Sequence, residues 1–143
     1  MTQDDLLARI QLRGRLHGRN ESRRVAAAVL TVLGELLPAP AYRRLIDPLP
    51  GEVRHRLPEP DTSRIVEIVD LGRFLTRIAE RLYVDGPDGA FLTRVVLGEL
   101  NTAGFPVGPA DVAHLVSADL RPLLRSRAPT TTETPTIARR ATL

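Results

Sequence analysis

The sequence carries one pattern of apolar and arginine positions twice, and this self-similarity constrains its fold more than any other feature. Four positions near the start recur 68 residues later and nine more recur 67 residues later, so a single deletion explains the offset. Self-similarity at a fixed spacing is typical of supersecondary units that bury their apolar faces against each other. The chain is therefore predicted to fold as two related halves. The first-half positions are Leu6, Leu7, Arg9, Ile10, Val25, Val29, Leu30, Leu33, Leu45, Leu49, Val53, Arg54 and Leu57.

The apolar spacing is helical, and proline and glycine separate the segments. We expect an all-α fold in which two sequence-related multi-helix halves pack as one compact domain, in a pseudo-twofold or tandem arrangement. The first helical repeat is predicted over residues 1–57, a short proline-containing linker over residues 58–61, and the second repeat over residues 62–127. The Thr/Pro-rich tail, residues 128–143, is predicted to be disordered because it holds few large apolar side chains.

Capping residues and helix breakers set the expected helix boundaries in the first repeat. Thr2 is expected to cap the first helix and Asn20 the second, which should run to about Leu37. Short helices are predicted over residues 41–47 and 51–57, each after a proline.

The second repeat is predicted to open with a longer helix that starts at residue 62 or 63. Ile65 and Ile68 are predicted to lie on the apolar stripe of this helix. Residues 86–89 are predicted to form a turn, and residues 90–103 the next helix.

Composition excludes several chemistries. The chain has no cysteine, which rules out disulfides, thiolate zinc sites and a cysteine nucleophile. No apolar run approaches the roughly 20 residues that span a bilayer, and no signal-peptide pattern is present. We therefore expect a cytoplasmic protein that does not associate with membranes.

The charge is small overall but unevenly distributed. All 20 lysine-plus-arginine positions are arginine, and the formal net charge is only +3. Residues 1–57 carry ten arginines against six acids, whereas residues 58–125 carry seven against ten. Opposite charges on two related halves favour docking of the halves on each other or association between chains.

Residues that could carry catalysis or bind metals do not group in recognised patterns. His17, His55 and His114 have no second histidine or carboxylate at a metal-ligand spacing. The serines lie at expected helix starts or in the tail, where hydroxyl capping accounts for them, and no Gly-x-Ser-x-Gly elbow occurs. We expect no catalytic residue, no metal site and no cofactor.

A cluster of arginines near the start is the candidate surface for a partner or for nucleic acid. Affinity for nucleic acid depends chiefly on phosphate contacts, which arginines supply. The chain has only five aromatic residues, however, so it lacks a stacking platform for single strands. A solvated helix face is the alternative interpretation. The cluster consists of Arg9, Arg13, Arg15, Arg19, Arg23 and Arg24.

One hydrophilic signature occurs in both repeats and centres on Arg54 and Arg121. Each arginine lies between apolar positions at four-residue spacing, so its guanidinium should project at the edge of the core. There it could cap helix carbonyls or pair with a carboxylate, or it could bind a ligand. We favour the structural role.

The tail contains one candidate phosphosite. Arg139-Arg140-Ala141-Thr142 has the form of a site for a basophilic kinase, which makes Thr142 the candidate. A phosphate there could dock on the arginine-rich first half and act as a switch.

The helix over residues 25–37, the segment 49–54, a second helix start at residues 74–78 and a degenerate segment 116–121 occur in a recognisable order. This order resembles the bacterial family catalogued as domain of unknown function 2267, over about residues 4–125. The resemblance implies a duplicated all-helical fold in a soluble bacterial protein. It brings no activity, cofactor or catalytic residue, and Ser117 replaces the family's usual proline.

These observations favour a non-enzymatic helical interaction or scaffold module. We expect a protein partner or self-association, for which residues 26–28 offer a thin alanine side. Nucleic-acid binding through the arginine cluster is the alternative. An enzyme, or a small-ligand pocket between the halves near Arg54 and Arg121, is a further alternative.

Overall fold

The structure is a computed structural model that describes residues 6–128. Within this range the chain forms helices and no strands, which confirms the expected all-α class. The helices are α1 Leu6–Gly14, α2 Arg19–Gly34, α3 Ala39–Ile46, α4 Gly51–Arg54, α5 Leu71–Leu82, α6 Gly86–Thr102 and α7 Arg121–Leu124, with 3₁₀ helices Pro109–Leu115 and Ala118–Leu120 between α6 and α7.

The two longest helices, α2 and α6, form the centre of the fold. Helix α2 packs against α1, α4, α5 and α6, and α6 packs against α1, α2, α5 and α7. One continuous apolar core joins buried side chains from all of these helices. Residues 26–28 are buried within it, so their thin alanine side packs inside the protein and does not offer a surface for self-association.

Aspartate side chains begin α5 and α6. Asp70 Oδ1 accepts a hydrogen bond from the Arg73 amide at 2.8 Å, and Asp85 Oδ1 accepts one from the Asp88 amide at 2.8 Å. Residues 86–89 are thus the first turn of α6, because Asp85 caps the helix and proline is well tolerated in a first turn. The prediction of a separate turn there was wrong.

The predicted long helix from residue 62 or 63 was also wrong. Residues 65–70 contain neither helix, turn nor bend, and α5 begins only at Leu71. The Asp70 cap fixes this start, since its side chain replaces the backbone partner that the first turn lacks.

Two contacts hold the non-helical residues against the body of the protein. The Glu67 amide donates to the Glu35 carbonyl at 3.0 Å, just past the end of α2. Ser117 Oγ donates to the Val69 carbonyl at 2.8 Å. The chain therefore runs along the surface between α2 and the segment that leads to α7.

Two polar residues near the start of α2 do not cap it. The helix begins one residue before Asn20, whose Oδ1 accepts hydrogen bonds from Arg23 and Arg56 instead. Ser22 is fully buried, and its Oγ donates to the Leu7 carbonyl at 2.7 Å, which ties α2 to α1.

Helices α1 and α5 end in the same way. Arg15 follows α1 with φ 56° and Tyr83 follows α5 with φ 58°. The next amide donates back across five positions, at 2.9 Å after Arg15 and at 3.0 Å after Tyr83, as in a Schellman motif. Glycine is the usual residue at this position. The left-handed backbone conformation therefore costs roughly 1 kcal/mol at Arg15 and again at Tyr83.

Three predictions fall outside the described residues: the Thr2 cap, disorder in residues 129–143, and the phosphosite Thr142. Among residues 6–128, no helix combines the length and the apolar character needed to cross a membrane.

Candidate functional site

Helix α6 presents a buried carboxylate to two arginines of the predicted cluster. Glu99 is 1% exposed, and its Oε1 accepts a hydrogen bond from Arg9 Nε at 2.9 Å. Arg13 Nε lies 3.5 Å from Oε2 of the same carboxylate. Two partly exposed guanidinium groups from α1 thus neutralise a charge that would otherwise be costly to bury.

A second carboxylate engages two further arginines of the cluster. Arg19 binds Glu52 with both Nε and Nη2, at 2.9 Å and 2.6 Å, and Arg23 Nη1 lies 2.7 Å from Glu52 Oε1. The hydrogen bond from Arg19 is the main cause that lowers the pKa of Glu52 from 4.5 to about 2, with a further contribution from Arg23. The ion pairs of Arg19 and Arg23 with Glu52 thus link the start of α2 to α4.

Glu52→Gln is expected to lower the melting temperature at neutral pH, and this deficit should disappear as the pH falls towards 2. A carboxyl group whose pKa is lower in the folded state than in the unfolded state stabilises the fold, and this contribution is fully present at pH values above its pKa in the unfolded state. For Glu52, that contribution is lost between pH 4.5 and about 2. Thermal unfolding of both proteins across this pH range measures the effect.

Glu80→Gln is the control, because it removes an exposed carboxylate with no ion pair in the described range. Its melting temperature should follow the wild type at every pH. A Glu52→Gln deficit that persists at pH 2 would show that the lost charge is not its cause.

The remaining two arginines of the cluster point elsewhere. Arg24 Nη1 lies 3.4 Å from the Leu82 carbonyl at the end of α5. Arg15 is exposed and lines two cavities beside α6. The six arginines are therefore divided among Glu99, Glu52, a helix end and the cavities, rather than gathered into one cationic face.

The two arginines of the repeated signature make different local contacts. Arg54 Nη2 lies 3.0 Å from Asp47 Oδ1, and its Nε is buried without a hydrogen-bond partner. Arg121 Nε donates to the Val116 carbonyl at 3.2 Å. One therefore pairs with a carboxylate and the other binds a carbonyl. His114 occupies the position that corresponds to Asp47, so Arg121 has no matching acid.

A largely exposed segment, residues 65–69, contains none of the candidate site residues predicted from the sequence. Ile65 is 85% exposed and Ile68 is 89% exposed, and Val66 and Leu115 beside them are more than a third exposed. Neither the amide nor the carbonyl of Val66 or Ile68 hydrogen-bonds to another residue in the part of the chain that the structure describes. We call residues 65–69 the edge segment.

The histidines and acidic side chains of the described residues form no group that could bind a metal ion. Between residues 6 and 128, no three histidine or acidic side chains lie close enough to hold a metal ion. His17 follows α1 and its backbone amide donates to Glu21, while His55 follows α4 and His114 lies in a 3₁₀ helix.

Sequence reasoning missed the edge segment because the spacing of Ile65 and Ile68 is also helical. The signal that could have found it is Asp70, an aspartate three residues before an amide that needs a cap. It also missed Arg94 and Arg127, which are distant in sequence and line the same cavity at the surface of α6.

Together these features define an all-helical protein with arginine–carboxylate clusters around Glu52 and Glu99 and an exposed edge segment that has unpaired backbone groups on Val66 and Ile68. The family described as "Uncharacterized conserved protein (DUF2267)" matches residues 3–123, so the chain belongs to this family. A comparison with curated proteins finds no match.

Proposed function

We propose that this protein is a non-enzymatic helical interaction module that self-associates through the edge segment. One observation carries the proposal: exposed apolar side chains, Ile65 and Ile68, coincide with unpaired backbone groups on Val66 and Ile68. An unpaired, apolar backbone edge is a template for the addition of another strand. The lack of cysteine agrees with a cytoplasmic location for this role.

The sequence of the edge segment suits pairing with a second copy of itself. Antiparallel pairing centred on Glu67 places Val66 of one copy opposite Ile68 of the other. In an antiparallel ladder, the two residues of a hydrogen-bonded pair exchange two hydrogen bonds. The two Val66–Ile68 pairs of the dimer therefore use the amide and carbonyl groups that are unpaired in the monomer. The Glu67 amide bonds to Glu35 on the body of the protein, as this register requires.

The same register places Glu67 opposite Glu67, and the fold reduces the resulting repulsion. Arg77 Nη2 lies 2.7 Å from Glu67 Oε1. This hydrogen bond holds the pKa of Glu67 below its usual value, so the carboxylate stays ionised and paired. The resulting interface has twofold symmetry and closes as a dimer.

Ile68→Arg is expected to weaken self-association at least tenfold. Full burial of an isoleucine side chain contributes roughly 1.5–3 kcal/mol, and each dimer would contain two copies of Ile68. Sedimentation velocity of the full chain from about 1 to about 100 µM measures the monomer–dimer equilibrium.

Leu12→Arg is the matched control, because Leu12 is 77% exposed on α1 and the change adds the same charge. It should leave the dimer intact. A wild-type protein that stays monomeric over this range, or an equal loss of dimer in Leu12→Arg, would reject the edge segment as the interface.

We also infer that the two halves are copies related by a pseudo-twofold axis, and ion pairs that cross between the halves support this. Arg9 of α1 binds Glu99 of α6, and Arg77 of α5 binds Glu35 just past α2. Arg9 and Arg77 occupy equivalent positions in the repeat, so each first helix binds the second helix region of the other half.

The helix ends support the same duplication. The non-glycine residues with positive φ in the described range are Arg15 and Tyr83, which are 68 residues apart. This is the spacing at which the positions of α1 recur in α5. A strained helix end in equivalent places is expected if both halves descend from one unit.

Nucleic-acid binding through the arginine cluster is a second candidate. What favours it is the exposed Arg15 at the end of α1. The ion pairs of Glu52 and Glu99 reduce the positive charge of four other members. The test is affinity for a DNA duplex that falls steeply with salt and weakens when Arg15 becomes Gln.

A further inference from the structure

A cavity of about 360 Å³ opens between the end of α1, one face of α6 and the residues that follow α7. Phe91, Arg94, Val95 and Glu99 line it from α6, where a spacing of three or four residues places them on one face. Its size lies within the range of small-molecule sites. It is separate from the edge segment.

The charge around this cavity is positive. Glu99 is its acidic residue, and Arg9 and Arg13 already bind that carboxylate. Arg15, Arg94 and Arg127 also line the cavity, and none of these three side chains has a hydrogen bond or an ion pair with another residue between 6 and 128. Three guanidinium groups are thus available to a bound anion.

The wall that carries Arg127 is held in place by specific contacts. Asn101 Nδ2 donates to the Leu124 and Ser126 carbonyls, at 2.8 Å and 2.6 Å. The Ala128 amide donates to Thr102 Oγ1 at 3.2 Å. These bonds fasten residues 124–128 to α6, so Arg127 is positioned at the cavity.

Gly98 allows this close approach. An ideal Cβ at this position would lie 3.1 Å from both Arg127 C and Ala128 N. The backbone of residues 127–128 therefore rests directly on α6, at a distance that a larger side chain would disturb.

Apolar surface complements the cationic groups. Phe91 is 42% exposed, and Val95 lies one turn further along α6. A neighbouring cavity of about 480 Å³ shares Arg15 and Phe91 and is lined by Leu16 and Leu92 among others. A ligand with an apolar body can therefore contact α6 while its head group meets the arginines.

We propose that this cavity binds an amphipathic organic anion, with a phosphate or carboxylate head group among Arg15, Arg94 and Arg127 and an apolar body against Phe91 and Val95. Guanidinium groups match both kinds of head group through paired hydrogen bonds. Among the described residues that line this cavity, Phe91 alone is aromatic. One ring and a limited volume favour a small molecule over a nucleic-acid strand, which needs successive stacking surfaces.

Isothermal titration of the full chain with 1-naphthyl phosphate and with 1-naphthoate, at low salt, tests this proposal and distinguishes the two head groups. We expect saturable binding of at least one of them. Inorganic phosphate and the uncharged 1-naphthalenemethanol should each bind at least tenfold more weakly. Inorganic phosphate lacks the apolar body, and 1-naphthalenemethanol lacks the anionic head group.

Arg94→Gln should weaken binding about tenfold, the effect of one charge-assisted hydrogen bond. Arg43→Gln is the matched control, since Arg43 is exposed on α3 and lies away from this cavity. Three results would overturn the proposal: no saturable binding of either probe, an equal loss in Arg43→Gln, or inorganic phosphate binding as tightly as the naphthyl probes. Displacement of the probe by a short oligonucleotide would assign the arginines to nucleic acid instead and would also overturn it.

Discussion

A chain cut within residues 58–61 is expected to give two fragments that do not fold alone but regain helical structure when mixed. Helix α1 packs on α6 as well as on α2, and α5 packs on α2 as well as on α6, so the cut removes one of the main neighbours of each first helix. The Arg9–Glu99 and Arg77–Glu35 pairs also cross the cut. Far-UV circular dichroism and thermal unfolding of fragments 1–60 and 61–143, alone and together, measure the effect.

A cut in the loop between α6 and the first 3₁₀ helix, within residues 104–108, provides the control. It leaves α1, α2, α5 and α6 on one fragment, which should remain largely helical and unfold cooperatively. Cooperative thermal unfolding of fragment 1–60 or 61–143 alone would contradict the interdependence of the halves.

Gly89→Val is expected to destabilise the protein by about 3 kcal/mol, the upper end of the usual cost of overpacking a core. An ideal Cβ at Gly89 would lie 2.7 Å from Ala79 Cβ and 3.0 Å from Ala79 Cα. Because one of these atoms belongs to the backbone of α5, the clash can be relieved only if α5 and α6 move apart. Urea unfolding monitored by circular dichroism gives the change in the free energy of unfolding.

Gly86→Val is the matched control, since Gly86 lies in the same first turn of α6 with no atom within 4 Å of its ideal Cβ. The two variants share the change in side chain and differ in the neighbouring surface. Gly86→Val should stay within about 0.5 kcal/mol of the wild type, as is usual for surface substitutions. Similar losses in the two variants would attribute the effect to helix propensity rather than to the contact with Ala79.

The helices could be predicted from sequence where apolar spacing and caps agree. Val29, Leu30 and Leu33 mark the buried stripe of α2, and Gly104, with φ 85°, follows the end of α6 as expected of a glycine after a helix. The Pro-containing starts of α3 and α4 were likewise close to the predicted positions.

Prediction failed where a tertiary contact replaced a local preference. Ile65 and Ile68 have helical spacing, yet the segment is held in a non-helical form by bonds to Glu35 and from Ser117, which are distant in sequence. Gly89 was interpreted as part of a turn. Its actual role is to leave room for Ala79 of α5, and this contact cannot be recognised from local sequence.

The candidate sites were predictable only in part. The sequence indicated that arginines are concentrated between residues 9 and 24. Charge alone could not show that two of them pair with Glu99 and two others with Glu52. Glu99 lies 90 positions from Arg9, and spacing of that kind has no local signature. The cavity beside α6 depends likewise on Arg127, which reaches it through the path of the backbone after α7.

Helix α1 of the first half packs on α6 of the second half, and this contact affects how the protein folds during its synthesis. During synthesis, α1 leaves the ribosome long before α6, which ends at Thr102. Helix α1 can pack on α2 early, but its contacts with α6 cannot form until most of the chain has been translated. Folding of the first half is thus tied to the completion of the second, and the newly made N-terminal segment is the part most exposed to aggregation or to chaperone binding.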